Sequence, residues 1–539
     1  MSKEEQPNIL WFSMEDTSPR FGCYGDPVAH TPNIDRVAAE GCRYDRAFCV
    51  AGVCAPSRAA IITGMYPTYI GAHHMRTMSS SAAVSAMGVG GHRTYECCPP
   101  HYVRCFPEYL RAAGYYCTNN EKTDYQFSPP FTAWDECGPK AHWRGRAPGQ
   151  PFFAVFNPLV THESGQWPDK PIEHDFAPND RTDPEAVSVP PWLPDTLEVR
   201  RAMARQYDNI RWSDGQLGRR LRELEEDGTL ENTVIFIWSD HGEGLPRSKR
   251  WPYDSGIRIP LIVRWPGRIR PGTSSERLVS LLDLAPTVLS VAGVRAPAHL
   301  QGTNFLDGPE RQYVFATRDR YDEAYDMVRA VRDRRFKYLR HYYPTLPHQL
   351  WIPYQYRHPA QKELWRAALR GESERYPQML GESRDPECLY DLEADPHEMQ
   401  NVADDPRYAA DLDRLRHVLD QWRRLYDVFG DWSETEMVGH WHPDGRVPQT
   451  AAPLFIPIAE DALEGHPSAG GEYDGPLLVQ LYGPTQGASI GWTAGDGRWR
   501  LYRGPIRVER GQTLRLRAKA IRIGYRESGE VEAVFTARG

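Results

Sequence analysis

Two segments of the sequence carry charged residues of the kind that hold a metal ion. One short apolar run leads to Glu15 and Asp16, and a second, more than two hundred positions later, leads to Asp240 and His241. Carboxylate oxygens are the hard ligands that Ca²⁺ or Mg²⁺ prefers, and an imidazole nitrogen adds a further donor. These four residues are therefore predicted metal ligands, provided that the fold brings the two segments together.

The elements around these segments predict such a meeting. Residues 9–12 and 234–238 are continuous apolar runs, which is typical of short strands buried on both faces of a sheet. Helical spacing of apolar residues predicts helices over 31–40 and 207–228. Strands that alternate with helices indicate an α/β domain, in which ligands collect beyond the carboxyl ends of the strands. The four charged residues are expected to converge at that edge.

Cys54 opens the most specific stretch of the sequence. Residues 54–60 read Cys-Ala-Pro-Ser-Arg-Ala-Ala, and Ile-Ile-Thr-Gly follows. An isolated cysteine is most often a buried structural thiol, and a thiol with a pKa of about 8.5 is a poor ligand for Ca²⁺ or Mg²⁺. The stretch resembles the modification signature of the formylglycine-dependent (type I) sulfatases. This resemblance implies that Cys54 is converted to formylglycine. An oxygen ligand then replaces the thiol, which is a poor ligand for Ca²⁺ or Mg²⁺.

Other segments match the same family in the family's order. They are residues 7–10, 31–35, 239–242, 249–267, 283–287 and 389–392. The resemblance covers roughly residues 7–425, and so many ordered matches are not explained by chance. It implies an alkaline-phosphatase-like sulfatase fold of the α/β class and hydrolysis of a sulfate ester or sulfamate on a carbohydrate. Residues 119–125 are similar to a bacterial carbohydrate sulfatase branch described as heparan N-sulfatase-like.

The resemblance also implies a role for each matching residue. The implied ligands of the divalent cation, Ca²⁺ or Mg²⁺, are Glu15, Asp16, Cys54 as formylglycine, Asp240 and His241. The implied catalytic residues beside Cys54 are Arg58, which holds the formylglycine, Lys122 and Lys249, which contact sulfate oxygens, and His162, which protonates the leaving oxygen. Sulfate ester cleavage develops negative charge on several oxygens, so a cation and fixed positive side chains are what the reaction requires.

The sequence departs from the family pattern at two places. Glu15 stands where many relatives have aspartate, and the longer side chain could shift the metal. Residues 122–124 read Lys-Thr-Asp where the family often has Lys-Trp-His, so the histidine that commonly assists sulfate expulsion is missing. The candidates to replace it in the substrate-binding site are Asp124, His73 and His74.

The pattern of elements predicts four segments. They are a catalytic α/β domain over 1–310, a smaller α+β domain over 311–440, a linker over 441–474 and an appended β-domain over 475–539. A single apolar stripe on the helix after Pro406 favours packing against a small sheet in the second segment. Residues 513–520 alternate apolar and basic side chains, which predicts a half-buried strand of a β-sandwich. The tail resembles the chitobiase-type C-terminal β-domain.

Composition limits the partners. The chain of 539 residues has 64 basic and 72 acidic side chains and a net charge of −8, which argues against a nucleic acid held by bulk electrostatics. No stretch approaches the roughly 20 apolar residues of a membrane span. Residues 1–7 leave no room for a signal peptide, so we expect a periplasmic or secreted protein if such a segment has been removed, and a cytoplasmic one otherwise. The expected partners are a sulfated carbohydrate and a formylglycine-generating maturation enzyme, and an oligomer is compatible with the sequence.

Two alternative functions stay open at this point. A phosphodiesterase or phosphonate monoester hydrolase would use the same formylglycine and metal cluster. A glycan-binding pseudoenzyme would keep Cys54 unmodified. Faster turnover of a phosphodiester than of a sulfate ester would indicate the first alternative. A peptide around Cys54 that keeps the mass of the thiol would indicate the second.

Overall fold

The computed structural model describes residues 6–79, 94–495 and 497–539. The chain divides into two compact units. The first consists of Met1–Thr94 and Val155–Asp431, and the second of Tyr95–Ala154 and Trp432–Gly539. The strand Phe152–Phe156 spans a point at which the chain passes from the second unit to the first.

A mixed sheet forms the centre of the first unit. Asn8–Met14 pairs in parallel with Thr233–Ser239, which pairs antiparallel with Arg258–Arg264. Cys42–Phe48 lies antiparallel to Arg258–Arg264 and parallel to Thr273–Ser280. Every residue of Asn8–Met14 and Thr233–Ser239 is buried, as predicted for two apolar strands inside an α/β layer.

Helices accompany this sheet. Among the described residues of the first unit, the helices are Pro32–Ala39, Cys54–Thr63, Pro67–Ile70, Leu197–Glu226, Asp254–Ile257, Leu284–Val291, Pro359–Leu369, Pro377–Leu380 and Ala409–Tyr426. The helix predicted over 207–228 begins earlier, at Leu197, because the Thr196 side chain accepts a hydrogen bond from the Val199 N–H and caps the first turn. In the part of the chain that the structure describes, no helix is both long and apolar enough to span a bilayer.

A second, antiparallel sheet in the first unit packs against one helix. Its strands are Glu387–Asp391, Phe336–His341, Val328–Arg332 and Val314–Arg318, in that order. Leu415, Leu419 and Trp422 on the helix Ala409–Tyr426 are buried in one cluster with Val331 and Tyr338 of the sheet. This is the α+β packing that the apolar stripe predicted.

The second unit contains a β-sandwich. One sheet has the strands Leu454–Ile458, Leu477–Tyr482 and Ile506–Val508, and the other has Gly470–Asp474, Val531–Arg538, Thr513–Ile521, Ser489–Thr493 and Arg500–Leu501. Val479 from the first sheet and Leu516 and Phe535 from the second belong to one buried cluster. The strands Leu454–Ile458 and Gly470–Asp474 lie within the range for which the sequence predicted a linker.

The second unit also contains helices and a short pair of strands. The helices are Pro107–Ala112 and Glu434–Trp441, and the strands Tyr116–Asn120 and Glu136–Cys137 pair in parallel. The Ser433 side chain accepts a hydrogen bond from the Glu436 N–H, and the Glu436 carboxylate accepts one from the Ser433 N–H. This reciprocal capping box fixes where Glu434–Trp441 begins.

His341 ends a strand of the antiparallel sheet in a buried position that opposes its protonation. Its Nδ1 lies 2.7 Å from the carbonyl oxygen of Asp385. Burial, with a contribution from the positive charge of Arg384, lowers the pKa of His341 from 6.5 to about 4. The unfolded chain therefore binds this proton at higher pH than the folded chain does. As a result, the free energy of unfolding falls as the pH drops from 6.5 towards 4.

We expect the variant His341→Gln to lose this part of the pH dependence, since glutamine can donate to the same carbonyl oxygen and does not titrate. Urea unfolding of both proteins at about pH 7 and about pH 4.5 measures their unfolding free energies. Between the two pH values, the parent should lose ~2 kcal/mol of unfolding free energy relative to the variant. A difference that stays the same at both pH values would contradict the neutral buried histidine.

Candidate active site

The register of two central strands sets the position of the site. The last pair in the ladder between Asn8–Met14 and Thr233–Ser239 joins Met14 to Ser239. Because these strands run parallel, the residues that follow them leave the sheet at the same edge. The four residues predicted as metal ligands are among those that follow, and all four are fully buried.

Asp16, Asp240 and His241 are in direct contact. The Asp16 N–H donates to Asp240 Oδ1 at 3.3 Å, and His241 Nε2 lies 3.1 Å from Asp16 Oδ1 and 3.8 Å from Asp240 Oδ1. Burial alone would lower the pKa of His241, but Asp240 and Asp16 outweigh it and raise that pKa well above its usual value. Asp16 adopts a φ of 45°, in the left-handed region, so its backbone holds a conformation that non-glycine residues rarely adopt.

Cys54 stands at the start of the helix Cys54–Thr63, with its side chain inside this cluster. Its Sγ lies 3.3 Å from His241 Nε2 and 3.9 Å from Glu15 Oε2, and the residue is 1% exposed. The positive end of the helix dipole favours negative charge at this position. Possible ligand atoms form two groups, and within each group all atoms lie within 4.8 Å of one another. The first group is Glu15, Asp16, Cys54 and His162, and the second is Cys54, Asp240 and His241.

The donors fit a divalent cation. The buried Asp16 Oδ1 meets His241 Nε2 at 3.1 Å, and possible ligand atoms of Glu15, Asp16, Cys54 and His162 all lie within 4.8 Å of one another. Carboxylates crowded together in a buried cluster repel one another, and a bound cation would offset that repulsion. Oxygen ligands predominate in the cluster, and Ca²⁺ and Mg²⁺ bind oxygen ligands in preference to thiolates. The structure therefore brings the predicted ligands together, while their binding of a metal stays a prediction.

Arg58 connects the carboxylates from both strand ends. Its Nε donates to Asp240 Oδ2 at 3.0 Å, its Nη1 donates to Asn157 Oδ1 at 3.0 Å, and its Nη2 is paired with the Glu15 carboxylate. Asn157 was not predicted as part of the site. It directly follows the buried strand Phe152–Phe156, so the pattern of a polar residue after an apolar run would have identified it.

Lys249 and His162 lie on the other side of Asp16. The Lys249 Nζ donates to Asp16 Oδ2 at 2.6 Å and lies 3.3 Å from His162 Nε2. Burial lowers the pKa of Lys249, but the negative charge of Asp16 outweighs it and raises the pKa above its usual value, so the side chain is positively charged. His162 is only half-buried, and its Nδ1 lies 3.0 Å from Ser164 Oγ.

A buried ion-pair chain supports this side of the site. Arg250 donates to both oxygens of Glu163 at 2.9 and 2.8 Å, and its Nε donates to Asp322 Oδ2 at 2.8 Å. The Glu163 N–H donates to Asp16 Oδ2 at 2.7 Å. Burial raises the pKa of Glu163, but Arg250 outweighs it and the pKa falls to about 2. Glu163 and Arg250 were not predicted as part of the site, although each directly follows a predicted site residue in the chain.

Two glycines allow the segment that carries Lys249 to approach the strand end. The Gly242 N–H donates to the Gly256 carbonyl oxygen at 2.8 Å. A Cβ atom at Gly256 would lie 2.0 Å from the Ser248 carbonyl oxygen, and one at Gly242 would lie 2.2 Å from the Ser255 carbonyl oxygen. Only glycine fits at either position without moving the main chain.

His73 and His74 lie in a segment next to the Cys54 environment. Both are buried, and their ring centroids are 4.1 Å apart. The His74 Nδ1 accepts a hydrogen bond from the Arg320 N–H at 3.2 Å. The next residue, Met75, packs in one apolar cluster with Cys54. The segment is therefore close to the site, and a substrate-binding role for either histidine stays a prediction.

Lys122 and Asp124 belong to the second unit. The Lys122 Nζ lies 3.7 Å from Asp124 Oδ2, so the two side chains form an ion pair. Asp124 also has a positive φ of 53°, which places its backbone in the left-handed region. The predicted contacts of these two residues with substrate stay predictions.

The sequence of the chain matches known protein families and individual proteins. Residues 7–136 and 118–294 match the family described as Sulfatase, and residues 242–357 match the one described as N-sulphoglucosamine sulphohydrolase, C-terminal. An ulvan-active sulfatase of Formosa agariphila is 40% identical over an alignment of 570 positions, and the match covers 98% of this chain and 91% of the relative.

More distant relatives agree. The N-sulphoglucosamine sulphohydrolase of Homo sapiens is 27% identical, and the match covers 84% of this chain and 95% of the relative. One solved structure shows a protein in complex with its substrate D-glucosamine-2-N,6-O-disulfate. It matches this chain with a TM-score of 0.53 at 19% identity, and the match covers 80% of this chain and 100% of the chain in that structure. The two proteins therefore share a fold. The predicted fold class and the predicted resemblance are confirmed. The chain belongs to the sulfatase family and is a sulfuric ester hydrolase.

Proposed function

We propose that the protein removes sulfate from ulvan or from a fragment of it, through a formylglycine made from Cys54. The observation that carries the reaction is the position of Cys54, whose Sγ lies 3.3 Å from His241 and 3.9 Å from Glu15 at the start of a buried helix. Identity of 40% over 98% of the chain to an ulvan-active sulfatase supports the choice of polysaccharide. The more distant N-sulphoglucosamine sulphohydrolase makes a sulfamate sugar the second candidate substrate.

The cation that we propose is Ca²⁺ or Mg²⁺, bound by carboxylates and the imidazole at the two strand ends. The proposed protein ligands are Glu15, Asp16, Asp240 and His241. When bound, such a cation stabilises the negative charge that develops on the sulfuryl oxygens, and formylglycine supplies the hydroxyl of its hydrate as the nucleophile. The maturation enzyme that converts Cys54 is part of this proposal.

The chain's own residues orient the reacting groups. Arg58 holds Glu15 and Asp240 in fixed positions beside residue 54. Lys249 places a positive charge next to the cluster, where it stabilises anionic oxygens of the sulfate group. His162, which Ser164 orients through Nδ1, donates a proton from Nε2 to the leaving oxygen. Because His162 is half-buried, the leaving sugar can reach it from the surface.

The variant Cys54→Ala tests the nucleophile. Sulfate release from ulvan oligosaccharides, measured by ion chromatography after coexpression with a formylglycine-generating enzyme, should fall by at least ~10⁴-fold, because the reaction loses its covalent route. Mass spectrometry of the parent peptide around Cys54 should show the replacement of H₂S by oxygen. Cys49→Ala is the matched control, since Cys49 is also a buried cysteine of this region and should keep most of the activity.

Three results would contradict this assignment. Sulfate release by Cys54→Ala at the parent rate would exclude a nucleophile at position 54. Faster turnover of a phosphodiester or phosphonate monoester than of any sulfated sugar would favour the alternative hydrolase. A parent peptide that keeps its thiol, together with glycan binding and no sulfate release in the presence of the maturation enzyme, would favour a pseudoenzyme.

Metal binding can be tested without measuring turnover. The parent protein, stripped with a chelator, should bind Ca²⁺ or Mg²⁺ in isothermal titration calorimetry, and its thermal midpoint should rise with the ion because only the folded chain presents the ligands. Asp240→Asn should weaken this binding by about 100-fold or more, since it removes a charged oxygen ligand from a site where even supporting residues matter by 10–100-fold.

Asp319→Asn is the control for the metal experiment. Asp319 is a buried aspartate of the same unit, but it pairs with Arg329 at 2.9 Å and is not part of the ligand cluster. Its substitution should leave the affinity for the ion unchanged. Equal loss of affinity in both variants would indicate a general effect on folding, and unchanged affinity in Asp240→Asn would exclude that residue as a ligand.

A further inference from the structure

A basic cleft lies in the second unit, and its lining includes none of the residues assigned to the reaction. Its volume is about 740 Å³, within the range of small-molecule binding sites. Residues of the strand Arg500–Leu501 and of the segment before Ile506–Val508 line one part of it, and residues 111–116 line another. The lining residues that matter here are Arg111, Arg498, Arg500, Arg503, Arg507, Tyr116 and Trp492.

Arginines predominate among the charged side chains that line the cleft. Five arginines line it, and among the described lining residues Asp135 is the single carboxylate. Asp135 is paired with Arg111 at 2.9 Å, so its charge compensates that arginine. Arg503 donates to the main-chain carbonyl of Ala112, and a carbonyl oxygen satisfies a hydrogen bond without neutralising the charge. Arg507 is exposed and paired with Glu509 at 2.8 Å.

Aromatic rings hold two of these guanidinium groups in place. Arg500 lies over the ring of Trp492 at 5.3 Å, and Arg498 lies over the ring of Tyr116 at 5.4 Å. The Nη2 of Arg498 also donates to the Gly145 carbonyl oxygen at 2.7 Å. Stacked and hydrogen-bonded arginines lose less conformational entropy when they bind an anion than mobile side chains do. The cleft is therefore prepared for a ligand with several negative charges.

We propose that this cleft is a second, non-catalytic site that binds a sulfated segment of a polysaccharide. Guanidinium groups form paired hydrogen bonds with oxyanions such as sulfate and carboxylate, and several of them around one cleft select a chain that carries charges at intervals. The half-buried ring of Trp492 adds apolar surface against which a sugar ring could pack. The assumption that the polymer is a sulfated glycan rests on the proposed function, whereas the anion-binding character of the cleft rests on its own residues.

The experiment uses the full chain with Cys54→Ala, so that no sulfate is removed during the measurement and a failure of the proposed reaction does not affect the result. The probe is dextran sulfate, with unsulfated dextran of the same length as its control. In this background, Arg498→Glu combined with Arg503→Glu should weaken binding by ~10-fold or more, because two charged contacts are replaced by repulsion. Unsulfated dextran should bind neither protein measurably.

A matched pair of substitutions controls for net charge. Arg446→Glu combined with Arg526→Glu changes the charge by the same amount at exposed positions of the same unit outside the cleft, and it should keep the affinity of the parent. Equal affinity of all three proteins for dextran sulfate, or an equal loss in both pairs, would overturn the proposal. Tighter binding of single-stranded DNA than of dextran sulfate through the same arginines would also overturn it.

Folding is checked separately for the charge reversal. The thermal midpoint of each variant should match that of the parent, since Arg498 and Arg503 are exposed. If the double reversal unfolds, Arg503→Gln alone provides the test, because it removes one charge without introducing repulsion. Its affinity for dextran sulfate should fall by about threefold, and an affinity equal to that of the parent would overturn the proposal.

Discussion

The need to keep three carboxylates together in the buried interior governs the structure of the site. Glu15, Asp16 and Asp240 are fully buried, and a buried charge is costly unless other charges and hydrogen bonds compensate it. Arg58 and Lys249 provide two positive charges within hydrogen-bonding distance. The carboxylates, the arginine and the lysine therefore stabilise one another as a set.

Backbone geometry assembles this set with little help from long loops. Parallel pairing puts two strand ends at one edge of the sheet, and the buried helix that starts at Cys54 brings the reacting side chain to that edge. Close approach at Gly242 and Gly256 then brings Lys249 within reach of Asp16. Arg58 lies within a helix, and Glu15, Asp16 and Asp240 directly follow strands, so regular elements fix the positions of these groups.

Features set by local pattern could be predicted from the sequence, and those set by tertiary contacts could not. Apolar runs that end in charged residues identified the strand ends at Asp16 and Asp240, because burial and strand direction follow from the pattern itself. The pairing of Arg250 with Glu163 depends on segments far apart in the chain, so no spacing indicates it. The strand Leu454–Ile458 contains a proline and lies among turn-forming residues, which is why a linker was predicted there.

The deep burial of Cys54 has a consequence for the proposed conversion to formylglycine. All ten residues of the helix Cys54–Thr63 are buried, and Cys54 itself is 1% exposed. An enzyme that oxidises this thiol must hold the surrounding peptide in its own cleft, which the folded chain does not permit. The proposed oxidation would therefore have to happen on the nascent or unfolded polypeptide, and a molecule that folded first would keep an inert thiol until it unfolded again.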